Sequence, residues 1–399
     1  MLERTVNNSP DKRSPFQMHI DTVALWERNP KCAQILADNH LWCNSVLEAD
    51  RPKPHLFKDI MSLNGPQEVL LAGSSASYVQ KERRILGSCF VERQHCEWCG
   101  GHVSVPYADF GCSGLPCTDM SRAGLQAKRD GSTNTVYMTH GKFVESKKIP
   151  LFVIECTPEL DMGMVEETHS GYDFYQLFFS NDQTGHAGAA RDRTYVIASR
   201  QDTTSCQQDP EAVLHRIGRK MRGKVRTQPQ DYLLADNLEI FLEAMQVEPV
   251  SVVLGDSMDL RPLLNPRERR ALEQYEAAYL ARFKVPAATD RNLVCFLGDN
   301  PSYTLNWSAI SRRVPTLRLN SRSGKLWFPS RNRWMVARER LATLGWPVSA
   351  DMADAMGCPA PVPMRDCLRA SELAGNAMHF PSVAVAQLLA LSCFAPLRP

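Results

Sequence analysis

No glycine precedes Gly65, and neither sign of charge predominates: 46 Lys and Arg stand against 44 Asp and Glu, for a formal net charge of +2. That balance excludes a chain that binds nucleic acid through a global basic excess, so any such surface must be local. Long apolar runs are lacking too. The longest, Val383 to Ala395, is interrupted by Gln387 and Ser392 and is too short to span a bilayer. No internal repeat and no long low-complexity segment is present, which sets aside solenoids and tail-like linkers. The 13 cysteines are odd in number and follow no repeating framework, and no signal peptide precedes them. A reducing intracellular compartment follows, not a disulfide-stapled secreted domain. With 399 residues the chain can bury a full core and forms one large domain plus a smaller one.

What is present is a series of apolar segments that end in chemistry-bearing residues. Val103 to Phe110 reads as a buried strand, and Gly114-Leu115-Pro116-Cys117-Thr118-Asp119-Met120-Ser121-Arg122-Ala123-Gly124 follows as a tight loop. A thiol on the loop after such a strand sits at the carboxyl end of an open α/β sheet, where that fold class binds ligands. Thr22 to Glu27 is an apolar strand ending in a carboxylate, followed by a helical pattern from Pro30 to His40. Asp59 comes after a loop rich in proline and lysine. Ile149 to Glu155 is a second clear strand with an acid at its end, Phe174 to Phe179 another, and Arg191 to Ile197 a further extended segment. There, Arg191 and Arg193 at alternate positions project to one face. Gln126 to Ser132 reads as a loose polar connection, and the residues before about position 18 as a polar terminus.

Two other features are local. Cys89, Cys96, Cys99 and His102 include a C-x-x-C and could close a tetrahedral structural zinc site; a cluster of reduced cysteines is the other reading. A basic run, Arg216, Arg219, Lys220, Arg222, Lys224 and Arg226, would either neutralise backbone phosphates or form a solvated helix face. Helical patterns cover Gln230 to Gln246 and Pro266 to Phe283.

Gly114, Pro116, Cys117, Ser121, Ala123 and Gly124 match the Pro-Cys motif GPPCxxxSxAG, and this loop resembles that of the cytosine carbon-5 DNA methyltransferases. Further matches follow in family order. Glu27 falls on the acid that holds the ribose of S-adenosylmethionine, and Asp59 on the acid that contacts its adenine. Glu155-Cys156-Thr157 stands for Glu-Asn-Val, and Ala189, Arg191 and Arg193 for Gln-x-Arg-x-Arg. Pro315 to Leu317 and Arg333 to Glu339, continued by Leu344-Gly345-Trp346-Pro347, resemble the ninth motif. Ala374 to Val383, with Asn376, resembles the tenth, where Asn376 would cap the apolar helix that follows or reach the cofactor.

The resemblance implies an α/β fold: a Rossmann-like S-adenosylmethionine-dependent methyltransferase sheet with a smaller inserted target-recognition domain. Residues 1–204 would form the catalytic domain, 205–330 the recognition region, and 331–399 the C-terminal motifs completing the catalytic domain. It implies Cys117 as the nucleophile that adds to carbon 6 of cytosine, with Glu155, Arg193 and Arg191 around the base. Ser121 and Arg193 would bind substrate, and Glu27, Asp59, Pro116 and Asn376 would serve the cofactor. DNA is the implied partner, with the base extruded from its stack, and a nuclear location if the source is eukaryotic, cytoplasmic otherwise. An RNA cytosine methyltransferase and a catalytically silent relative that binds nucleic acid or protein are the alternatives. Three departures mark this chain. The Gly-rich first motif, about 20 residues before the ribose acid, is not visible, and Asn7, Asn8, Ser9 and Pro10 occupy its place. A chain truncated at its N-terminus and a degraded cofactor site both account for that. Cys156 replaces the Asn that braces the Pro-Cys loop, and Ala189 replaces the Gln.

Overall fold

The computed structural model describes residues 7, 18–47, 51–122, 124–186, 188–224, 226–247, 258–317, 324–351, 353 and 374–397. Positions 8–10 and Ala123 of the sequence motifs therefore lie outside the described residues. The chain is mixed α/β and divides into two compact units. A sheet unit takes the chain up to Phe179, Asp192–Lys220 and the end from Ser382, while a second unit takes Ser180–Arg191 and Met221–Pro381. No described helix is long and apolar enough to cross a membrane.

In the sheet unit, β1 (Ala24–Trp26) pairs in parallel with β2 (His55–Phe57). The helix Pro30–Leu47 lies between them in sequence. β3 (Arg93–Cys96) and β4 (Gly101–Ser104) form an antiparallel hairpin. The main sheet has the order β5-β6-β8-β7, from β5 (Phe110–Gly114), β6 (Leu151–Cys156), β7 (Tyr172–Phe179) and β8 (Arg193–Arg200). β5 and β6 run parallel, joined through the helix Asn134–Ser146, and the other pairs are antiparallel. The segment expected to be one strand from Val103 to Phe110 is thus split between a hairpin arm and the start of β5. Only residues 105–109, between the two strands, take no strand pairing.

Every residue of β6 is buried, because a strand covered on both faces has no solvent side to alternate with. Phe152, Ile154 and Cys156 join a core with Tyr137, Met164 and Val196. Leu151 and Val153 point the other way, into a core with Leu177, Tyr195, Leu389 and Ala390. The last two belong to the helix Phe380–Cys393, after which β13 (Phe394–Pro396) pairs with β9 (Thr204–Cys206).

The second unit is built on aromatic side chains and paired charges. Tyr275, Trp307, Trp327 and Trp334 share one core. The helix Pro266–Phe283 starts as its sequence dictates: Asn265 and Glu268 exchange side-chain and backbone hydrogen bonds as a capping box with Pro266 at the first turn. Glu268 also takes the Nζ of buried Lys325 at 2.7 Å. β10 (Cys295–Phe296), β11 (Leu326–Phe328) and β12 (Arg333–Trp334) form an antiparallel sheet. Arg333 makes two hydrogen bonds to the carboxylate of Glu339, at 2.9 and 2.8 Å.

Candidate active site

The carboxyl end of β5 and β6 carries the residues singled out in the sequence. Gly114 sits opposite Glu155 in the parallel register, and the chain leaves β5 directly into the Pro-Cys loop. That loop is closed by its own backbone. The carbonyl of Cys117 accepts from the amides of Met120 and Ser121 (3.0 and 2.8 Å), and that of Thr118 accepts from Leu125 (3.1 Å). Gly124 is required here: a Cβ would lie 1.8 Å from the Thr118 carbonyl oxygen. Below the loop, buried Asp119 accepts from the amide and hydroxyl of Thr133, at 2.8 and 2.7 Å. The Asp119 carbonyl accepts from the Lys128 amide at 2.9 Å. Residues 126–132, expected to be a loose connection, are therefore tied to Asp119, through the Lys128 amide on its carbonyl and Thr133 on its carboxylate.

Cys117 is half-buried and packs against the core that contains Tyr137 and Cys156. Tyr137 was not signalled by the sequence. Its hydroxyl donates to the Pro116 carbonyl at 3.1 Å and lies 3.4 Å from Cys156 Sγ. Burial, with Cys156, Cys117 and Glu155 around it, pushes the Tyr137 phenol well above its ordinary range, so the hydroxyl keeps its proton and remains a donor. The Pro-Cys loop is thus braced from the helix Asn134–Ser146. Cys156 itself is pushed up to about 11 by burial and stays a thiol.

Glu155 is buried at the end of β6, and its Oε1 lies 3.0 Å from Nε of Arg193, the first residue of β8. Cys117 lies three residues past Gly114, the residue opposite Glu155, so the Cys117 loop and the Glu155–Arg193 pair stand at the same end of the sheet. β8 begins only at Arg193, so Arg191 lies outside the strand, buried in the second unit where its charge reaches His379.

Glu27 and Asp59 follow β1 and β2 at the same edge of that parallel pair. Glu27 donates its amide to the Phe57 carbonyl at 3.0 Å. Each acid already spends one oxygen on its own turn, Glu27 on the Asn29 amide at 2.7 Å and Asp59 on the Met61 amide at 3.0 Å. Asn7 clasps the Met18 backbone with both amide atoms, at 2.8 Å each. Pro116 is half-buried in the loop. Ser121 turns its amide inward to the loop carbonyl already described. Asn376 is exposed and belongs to the second unit. It caps nothing in the helix expected after it, because that helix starts at Phe380.

Of the cysteine and histidine cluster, the structure unites Cys96 and Cys99 with His55, not with Cys89 or His102. One donor atom from each of the three lies within 4.8 Å of the others, a group that could hold a metal ion. Cys89 is exposed and offers its carbonyl to Lys142 at 3.0 Å. His102 faces His95 across the hairpin. No spacing rule could have found His55, which stands 44 residues from Cys99 in the chain. Burial raises the Cys96 thiol, but hydrogen bonds from Cys99, His55 and the Leu56 amide outweigh it and bring the group down to about 7.

The basic run is divided. Arg216, Arg219 and Lys220 lie on the helix Pro210–Met221, whereas Arg222 and Arg226 line a cavity of about 330 Å³ in the second unit with Arg312 and Arg313. Asp182 pairs with Arg222 at 3.1 Å and lies 3.8 Å from Arg313.

No family model matches the chain, and no curated protein sequence matches it. Among solved structures it is similar to the methyltransferase EhMeth of Entamoeba histolytica, with 11% identity and a TM-score of 0.46 over 98% of this chain and 94% of that one. It is also similar to the Dnmt2 methyltransferase of S. pombe, with 13% identity and a TM-score of 0.43 over 93% and 90%. A putative DNA modification methyltransferase encoded within an E. coli prophage gives 14% identity and a TM-score of 0.38 over 93% and 92%.

Proposed function

We propose that the chain is a cytosine carbon-5 methyltransferase acting on DNA, with a Rossmann-like catalytic sheet. The observation that supports the reading is that the Glu155–Arg193 ion pair and the Cys117 loop, held by Tyr137, stand at the same carboxyl end of two parallel strands. Carbon 5 of cytosine is a poor nucleophile. Addition of the Cys117 thiolate to carbon 6 makes carbon 5 electron-rich. A proton held between Glu155 and ring nitrogen 3 stabilises the adduct, while Arg193 donates to the carbonyl oxygen. In this reading the Glu155–Arg193 pair opens to receive the base edge. Once carbon 5 carries a methyl group, loss of its proton to solvent would restore the ring double bond and expel the Cys117 sulfur. The base must leave its stack to reach the thiol, and the arginines at 222, 226, 312 and 313 would bind phosphates at the second unit.

The residues fit the adenosine end of S-adenosylmethionine. Glu27 and Asp59 stand at one edge of the β1–β2 pair and would hold its ribose and adenine. When bound, that cofactor supplies the methyl group for carbon 5.

A second reading, a silent relative that binds nucleic acid, is favoured by Asn7, whose side chain closes on Met18 where the family has a Gly-rich turn. A fluorocytosine-containing duplex with S-adenosylmethionine separates the two. The enzyme forms a covalent complex that survives denaturing electrophoresis, and Cys117→Ala abolishes it. A wild-type chain that binds the duplex yet forms no adduct is the silent relative. Adduct with a fluorocytosine RNA hairpin alone would move the substrate to RNA.

A further inference from the structure

The hairpin of β3 and β4 turns through Cys96-Glu97-Trp98-Cys99-Gly100-Gly101, and the turn is shaped around sulfur. Cys96 pairs with Gly101 across the hairpin. The Gly100 amide donates to the Cys96 carbonyl at 2.9 Å, and Gly100 has φ of +70°, a conformation glycine adopts without strain. The Cys99 amide donates to Cys96 Sγ at 3.3 Å. Such an N–H on a sulfur fixes its direction and spreads the charge of a thiolate, the role that outer hydrogen bonds take at metal centres. From the neighbouring strand β2, His55 brings Nδ1 to 3.3 Å from Cys99 Sγ. The Glu97 amide ties the hairpin tip to the Leu56 carbonyl at 2.8 Å, so the three side chains are held by backbone on both sides.

We infer that His55 Nδ1, Cys96 Sγ and Cys99 Sγ bind one zinc ion, with the fourth position open to solvent beside exposed Cys99. Two sulfurs and one imidazole nitrogen are the donors zinc prefers, and a tetrahedral ion needs them roughly 3.5–3.8 Å apart. The observed donors, all within 4.8 Å of one another, reach that spacing by small side-chain rotations. The site has a structural task. Among the described residues, only Phe57, Leu63, Cys96 and Val105 are fully buried in the core beneath this hairpin, and small cores are commonly stapled by metals. Zinc here would clamp the hairpin onto the strand that leads to Asp59. The inference does not depend on the proposed methyl transfer.

The test uses the full chain, reduced and stripped of metal, titrated with Co(II) and then Zn(II). One cobalt per chain is expected, with a thiolate-to-cobalt charge-transfer band and the intense visible bands of a tetrahedral site, all displaced by one equivalent of zinc. Cys99→Ser and His55→Ala should weaken binding by on the order of 10-fold or more. Cys89→Ser and His102→Ala should bind as the wild type does. A wild type without the charge-transfer band overturns the assignment. So does equal weakening in Cys89→Ser, which would place the ion elsewhere. If Cys99→Ser fails to fold, the wild-type titration together with the two control variants decides the matter. A Cys96–Cys99 disulfide that persists under reducing conditions, with no cobalt bound, likewise overturns it.

Discussion

Buried carboxylates are held differently in the two units. In the second unit, Glu339 takes two bonds from Arg333 and also the amides of Val336 and Ala235, at 3.0 and 2.9 Å. Glu243 faces Arg340 and accepts from the Ala337 amide and the Trp334 indole. Glu268 faces Lys325 and accepts from the Asn265 amide. These acids are junctions, locked by a cation and by backbone together. In the sheet unit Glu155 has its ion pair with Arg193; its Oε1, like that of Glu268, meets no well-aligned hydrogen bond, but unlike Glu268 it accepts from no backbone amide among the described residues. A carboxylate with many fixed partners cannot change them cheaply, whereas one held by a single side chain can exchange it for a ligand. The contrast separates charges that build the fold from a charge kept available for chemistry.

The largest expected effect lies in the junctions. Glu339→Ala leaves the Arg333 guanidinium buried without its counter-ion and should cost about 3–5 kcal/mol in chemical denaturation of the full chain.

Next comes acid. Buried His169 is lowered to about 4 by loss of hydration, and His140 beside it is lowered too. In the second unit His186 and His379 are lowered to about 4 and about 3. The unfolded chain binds protons at these sites below its ordinary pKa of about 6.5, and the folded chain does not, so stability falls as pH drops from about 6.5 to about 4. The loss from His169 alone is on the order of 3 kcal/mol. Denaturation midpoints measured across that range check it, and His169→Gln should flatten the sheet unit's share.

Smaller still is Tyr137→Phe, which removes the donor to Pro116. About 1–1.5 kcal/mol of stability should go, with a clear slowing of fluorocytosine trapping as the Pro-Cys loop loosens. The smallest stability effect belongs to Glu155→Gln, about 1 kcal/mol or less because no well-aligned hydrogen bond to its Oε1 is lost, while trapping is abolished. A stability loss as large as that of Glu339→Ala would erase the distinction between junction and available charge.

Legibility in the sequence follows the range of the interactions. The helix Pro266–Phe283 appears with the expected limits because its start is a local signal, Asn265-Pro266 with Glu268. Strand β6 is plain because an unbroken apolar run with a terminal acid has few other uses. Glu155 and Arg193 were legible through motif order, and they do pair. Tyr137 and His55 were not: each acts on a partner far along the chain, and neither its neighbours nor its spacing mark it. The interior charges of the second unit hide its core for the same reason, since Glu243, Glu268 and Glu339 look solvent-facing until their cations are found in space.

The strands β7 and β8 pair from Tyr172 and Arg200 to Phe179 and Arg193, yet the link joining them, 180–191, is counted with the other unit. There Asn181 donates to the Ala189 carbonyl and Ala189 bridges to Val314. The polypeptide is therefore woven, not strung. Transplanting 221–381 into a related protein would leave this thread behind in the donor, and the graft would inherit a foreign one. Recombination at the obvious borders would exchange an incomplete piece, so specificity in such a chain is better altered by point changes than by cassette.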